Sequence, residues 1–256
     1  MNKDYQTITL QLESGIATLT LNRPDVRNAI NLAMVREITG VLDDLAPRDD
    51  VGALIVTGAG GKAFAGGADI KELRDRTHRE SLQAIYSTLF RKLEGFPHPT
   101  IAAVGGYAVG GGCELCLACD LRVAGEGARF GQPEVNLGIM PAAGATQRLP
   151  RLVGLGRAKE LIFTGEIIDA ARALEIGLVN QVVPDGEVMA AAKRLAAKIL
   201  EKGRLAVRLA KAALNASGGG TQEVGLWLES VSQGILYDTE EKRQRMTDFL
   251  EKKKKK

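Results

Sequence analysis

The chain has 256 residues, 45% of them hydrophobic and 25% charged, with a formal net charge of +3, a length that suits one large core with an appendage. Five lysines form the terminal run Lys252 to Lys256, so the body is nearly neutral, which excludes a broad nucleic-acid surface. No apolar stretch approaches the ~18 residues of a membrane span and the start, MNKDYQTITLQLES, lacks a signal-peptide or transit pattern, so a cytoplasmic, unprocessed chain is expected.

Residues 6–21, QTITLQLESGIATLTL, alternate with period two about Ser14-Gly15 and read as a β-hairpin. NLAMVREITGVLDDLA (31–46) spaces its apolar residues by three and four and predicts a helix. ALIVTG (53–58) and TIAAVGGYAVG (100–110) are apolar runs closed by glycine, the pattern of buried strands. A glycine-rich connection leads from the first to a helix begun near Asp69, and RESLQAIYSTLFRKLEGF (79–96) predicts a helix ending at Gly95 before Pro97. The rhythm is strand, strand, helix. After about residue 185 the chain becomes almost wholly helical, broken at Gly218 to Gly220. The expected organisation is therefore a core over 1–185 and a helical region over 186–256, whose alanine-rich faces serve either internal packing or a subunit interface.

GGGCELCLACD (110–120) poses the main chemical question. Three cysteines at three-residue spacing hint at a cluster or zinc site, but both need four ligands, and the only two histidines, His78 and His98, lack ligand spacing. A Cys-x-x-Cys redox pair has no thioredoxin-like context, so the cysteines read as buried packing, in keeping with a reducing compartment. No metal is expected. Glu114 is different: a carboxylate on an apolar first helical turn either satisfies free N–H groups there or does chemistry. Gly110, Gly111 and Gly112 let a ligand approach a helix N-terminus, the raw material of an oxyanion site. Glu134, in ARFGQPEVNLGIMP, is a second acid in apolar surroundings, and burial with mutual repulsion raises a carboxyl pKa toward neutral. The other glycine loop, LIVTGAGGKAFAGGADI, fails both nucleotide templates: Ala63 follows Gly61-Lys62 where a P-loop needs Ser or Thr, and Phe64, Gly66 and Gly67 interrupt any direct opening into a helix. It is either a plain connection or a second oxyanion donor.

These stretches, with LNRPDVRNAI (21–30), ATQRLPRLVG (145–154) and LIFTGEIIDAARALEIGLVNQVV (161–183), resemble the enoyl-CoA hydratase (crotonase) family through nearly the whole chain. The resemblance implies an α/β fold, a crotonase-like spiral of repeated β-β-α units with a helical C-terminal subdomain that builds trimers or dimers of trimers. It implies Glu114 and Glu134 as the catalytic pair and the backbone N–H groups of Ala68 and Gly111 as the oxyanion hole. Coenzyme A, part of the substrate rather than a cofactor, would lie along Arg27, Ala29, Ala65, Ala68, Asp69, Ile70, Lys71 and Gly111. The implied reaction is syn addition of water to a trans-2-enoyl-CoA, with a branched-substrate hydratase such as one for methylglutaconyl-CoA, an isomerase, or a non-catalytic assembly protein as the alternatives. An RNA-binding relative uses a lysine-rich helix; here that helix has no lysine, so no nucleic-acid partner is expected. Ala142 and Ala145 stand where the family carries glycine, Trp227 where it carries something smaller or polar, and the lysine run departs from the family ending as a solvated, disordered tail.

Overall fold

The computed structural model describes residues 4–254. β1 (Ile8–Glu13) and β2 (Ile16–Leu21) form the expected hairpin, with Ser14 and Gly15 at positive φ in its turn. α1 (Leu32–Leu45) starts where the Asn31 side chain accepts from Met34 N at 2.9 Å. Its stripe of Met34, Val35, Ile38, Val41, Leu42 and Leu45 is buried, each side chain contributing about 1.5–3 kcal/mol.

Three strand-strand-helix passes follow. The first is β3 (Ala53–Gly58), β4 (Ala63–Ala65), α2 (Ile70–Arg74), α3 (His78–Ser81) and α4 (Ile85–Glu94); the second is β5 (Thr100–Val104), β6 (Tyr107–Val109) and α5 (Gly111–Ala118). The third is β7 (Leu121–Gly125), β8 (Arg129–Gly131), a 3-10 turn at Pro133–Leu137, α6 (Ala145–Val153) and α7 (Leu155–Thr164). β9 (Ile167–Asp169), α8 (Ala170–Glu175), β10 (Gln181–Val183) and α9 (Val188–Leu200) close the series. The strands sort into two sheets: β1-β2-β3-β5-β7-β10, parallel after the hairpin, and β4-β6-β8-β9, in which only β8 and β9 run antiparallel. The apolar run 100–110 is thus two strands in different sheets. Gly106, at φ +67, makes the switch, and a Cβ there would overlap the Lys62 carbonyl.

The helix expected over 79–96 is also divided. Thr77 and Glu80 form a capping box that starts α3, and Ala84 adopts a left-handed backbone (φ 48) before α4. That reversal aims Tyr86, Leu89, Phe90 and Leu93 into the core. Two buried polar side chains are paired with backbone: Arg122 donates to the carbonyls of Leu178 and Cys119, each at 2.7 Å, and Asn28 Nδ2 to those of Ala59 (2.9 Å) and Ala63 (2.8 Å).

By its contacts the chain divides within α9 into one unit ending at Ala197 and another beginning at Lys198. The second holds α10 (Arg204–Ala216), α11 (Gln222–Tyr237) and α12 (Glu240–Lys254). Its helices leave Leu214, Leu226, Trp227, Val231, Ile235 and Phe249 exposed, so Trp227 is no core residue. The run of lysines begins as helix, α12 continuing through Lys254, and the expected disordered tail falls in part on Lys255 and Lys256, which lie outside the described residues. Among the described residues no helix is long and apolar enough to cross a membrane.

Candidate active site

The site forms where the second pass of the chain meets the first and third. β6 lies between β4 and β8, and Gly110 (φ +55) turns its end into α5. α5 can approach β4 only because Gly112 lacks a side chain: a Cβ there would overlap the Ala65 carbonyl. The same approach places a Cβ position on Gly111 at 3.2 Å from Ala68 N. Gly111 N is a free donor of a helix start, and neither it nor Ala68 N has a hydrogen-bond partner among the described residues. Both residues line one cleft of about 540 Å³. The two expected oxyanion donors are therefore adjacent and unspent.

Glu114, one turn into α5, is 3% exposed. Its Oε1 accepts from Ala143 N at 2.8 Å and Ala145 N at 3.0 Å, which leaves Oε2 without a partner among the described residues. The turn that supplies these donors is itself braced. Arg148 donates to the Ala143 carbonyl at 3.0 Å and to Glu94 at 2.8 Å, and fits because Gly144 (φ +119) has no Cβ to collide with it. Alanines at 142 and 145 leave this geometry intact, since the positive φ falls on Gly144. Burial pushes the Glu114 carboxyl above the usual range, while the N–H groups of Ala145 and Ala143 and the charge of Arg148 pull the other way.

Glu134 sits on the 3-10 turn beyond β8 and lines the same cleft. A Cβ on Gly110 would stand 3.2 Å from its Oε1, so the glycine gives this carboxylate its room. The buried Gln132, with its amide nitrogen turned toward the acid, reaches Oε1 at 3.1 Å and Oε2 at 3.2 Å. Burial first, and the Glu114 charge to a lesser degree, push Glu134 up to about 7, against the opposing pull of its own backbone N–H. The cysteines are free and buried, and burial drives the Cys113 thiol up to about 12, so the sulfurs here pack rather than react.

The residues expected to hold coenzyme A lie along two facing segments. Arg27, in left-handed backbone (φ 54), is exposed, and its carbonyl accepts from Gly66 N at 2.8 Å. Ala29 lies beside it, and Ile30 bridges in parallel to Ala68. Ile70 and Lys71 are exposed at the start of α2, whereas Ala65 is buried, so only its backbone can face a ligand. Asp69 is committed within the protein: its carboxylate caps α2 through Lys71 N (3.1 Å) and binds Arg23 at 3.0 Å. The bracing residues Arg148, Glu94 and Gln132 went unmarked in the sequence reading. Gln132, a polar residue between a buried strand and Pro133-Glu134, carried the one available signal.

The sequence over residues 11–256 matches the family model for enoyl-CoA hydratase/isomerase. The chain belongs to the enoyl-CoA hydratase/isomerase family. It is 44% identical over 253 residues to the short-chain-enoyl-CoA hydratase of Clostridium acetobutylicum, covering 98% of this chain and 97% of that one. It is 45% identical over 256 residues to the crotonyl-CoA hydratase of Syntrophomonas wolfei, with the same coverage. A crystal structure of enoyl-CoA hydratase from Bacillus anthracis superposes with a TM-score of 0.93 at 39% identity, over 96% of this chain and 97% of that one. The architecture is accordingly the crotonase fold, as the family resemblance implied. Within that family fold, two unspent N–H donors facing two carboxyls of raised pKa can hold a thioester oxygen as it gains charge while protons move at the neighbouring carbons.

Proposed function

We propose that the protein is an enoyl-CoA hydratase, a hydro-lyase that reversibly adds water in syn fashion to a trans-2-enoyl-CoA to give a 3-hydroxyacyl-CoA in acyl-CoA metabolism. The thioester oxygen would be held by Ala68 N and Gly111 N. Glu114, anchored through Oε1, would use Oε2 to position and deprotonate water for attack at the β-carbon. Glu134, able to hold a proton near neutral pH, would deliver it to the α-carbon. One oxyanion donor contributes about 10²- to 10³-fold in rate, and general acid/base help about 10²- to 10⁴-fold. Coenzyme A is carried in by the substrate, with Arg27, Ala29, Ala65, Asp69, Ile70 and Lys71 along its path, and no separate cofactor is needed. The names of the similar hydratases support short enoyl chains as the first substrates to try. Three free thiols fit a cytoplasmic setting, and the exposed apolar helix faces fit a homo-oligomer.

The observation that carries this reading is the pair itself: two carboxyls in one cleft, one pushed up to about 7, opposite two unpartnered N–H groups. Loss of the enoyl-thioester absorbance of crotonyl-CoA tests it. Wild type should consume the signal, and Glu134→Gln should lose at least about 10²-fold in kcat while still binding acyl-CoA. A loss of binding as large as the loss of rate would remove the role given to Glu134. Bound crotonyl-CoA with no hydration would move the chain to an isomerase, a branched-substrate hydratase or a non-catalytic relative.

A further inference from the structure

Arg76, two residues beyond α2, is half-buried and lines the cleft. Among the described residues it is the only cationic side chain that does so, with walls made by glycines, by Leu73, Ile85 and Met140, and by Glu114 and Glu134. The cations expected along coenzyme A, Arg27 and Lys71, do not line this space. The Arg76 guanidinium lies 5.0 Å from the ring centroid of Tyr86. That ring is fixed in turn, because the Tyr86 hydroxyl donates to the Ile30 carbonyl at 3.1 Å.

The acids around Arg76 are already committed. Glu80 takes Thr77 N and Oγ1, both at 2.8 Å; Glu72 takes Leu32 N at 3.0 Å; Asp69 takes Arg23 and Lys71 N. Among the described residues Arg76 forms no salt bridge. A guanidinium seated over an aromatic ring in the cleft, and in no ion pair among the described residues, has the planar fork that a carboxylate matches in bidentate fashion. A purely hydrocarbon chain would desolvate the same group and return nothing.

Resting on the acyl-CoA reading above, we propose that Arg76 is an anion subsite for the far end of the acyl chain, so that the preferred substrates are enoyl-CoA thioesters of dicarboxylic acids. Arg76 acts in specificity, away from the reacting carbons.

Calorimetric binding of succinyl-, glutaryl- and adipoyl-CoA against butyryl-, valeryl- and hexanoyl-CoA tests this without requiring turnover. Wild type should favour the dicarboxylic member of at least one pair, and Arg76→Met should weaken that member about tenfold or more beyond any effect on its neutral partner. Arg76→Lys should keep part of the preference, and circular dichroism confirms that both variants fold. Equal weakening of both members of every pair would make Arg76 a phosphate contact and overturn the proposal. Absence of any preference in wild type would leave only packing on Tyr86 and also overturn it. Were the preference present but hydration of every enoyl-CoA absent, the hydratase reading would fall and the subsite would stand.

Discussion

Glu134 gains its chemical use from where it is buried. Its carboxyl is pushed from 4.5 up to about 7, so the proton donor proposed for hydration is present below that value and is lost as pH rises through it. The hydration kcat/KM should fall about tenfold per pH unit on the alkaline side, and a flat profile to pH 9 would exclude Glu134 as the acid. The same shift makes a stability statement. The folded state holds this proton more tightly than the unfolded chain, so the stabilisation is complete below the unfolded value and disappears as pH rises through about 7. Glu134→Gln should therefore raise the melting temperature above pH 7 relative to wild type, and not at pH 4. Both glutamates stand out in the sequence because ionisable groups in glycine-rich apolar runs need a reason to be there. The groups that make each usable do not. Nothing in Ala143, Ala145 or Arg148 as letters says that two N–H groups converge on Glu114 Oε1 while a guanidinium braces the turn behind them, because that depends on a backbone path set by Gly144.

At the level of elements, the contact between α5 and β4 decides whether the proposed oxyanion donors, Ala68 N and Gly111 N, meet. Gly112→Ala would drive a methyl into the Ala65 carbonyl, forcing the helix off the strand at a cost of about 1–3 kcal/mol. Urea unfolding should show that loss, and activity should fall further than stability alone accounts for because Gly111 N moves away from Ala68 N. An unchanged midpoint would mean that α5 adjusts freely. Strand and helix periodicity located the hairpin, α1 and the buried strands, since those patterns follow from which face is wet. They could not reveal the left-handed Ala84 that splits the helix over 79–96, nor the passage of residues 100–110 between two sheets. In both places a single backbone reversal interrupts an apolar pattern that reads continuously.

For the whole molecule, Leu226, Trp227, Val231 and Ile235 of α11 leave apolar surface exposed on the C-terminal helices. Sedimentation equilibrium should give a mass that is a multiple of 27.3 kDa, and Val231→Glu with Trp227→Asp should lower it toward one chain; a wild-type monomer at micromolar concentration would refute a homo-oligomer. The change in composition near residue 185 announced a helical C-terminal region, but α9 runs continuously across the division at Ala197, so composition could not place that boundary. The dispersal of the site through the core has a further result. Ala68 follows β4, Gly111 follows β6, Glu134 follows β8, and the donors to Glu114 lie just before and at the start of α6. No single β-β-α pass carries a working subset of these groups. During refolding, return of hydration would therefore clock the last pass to dock, making turnover a more stringent reporter of native structure than helix or sheet content.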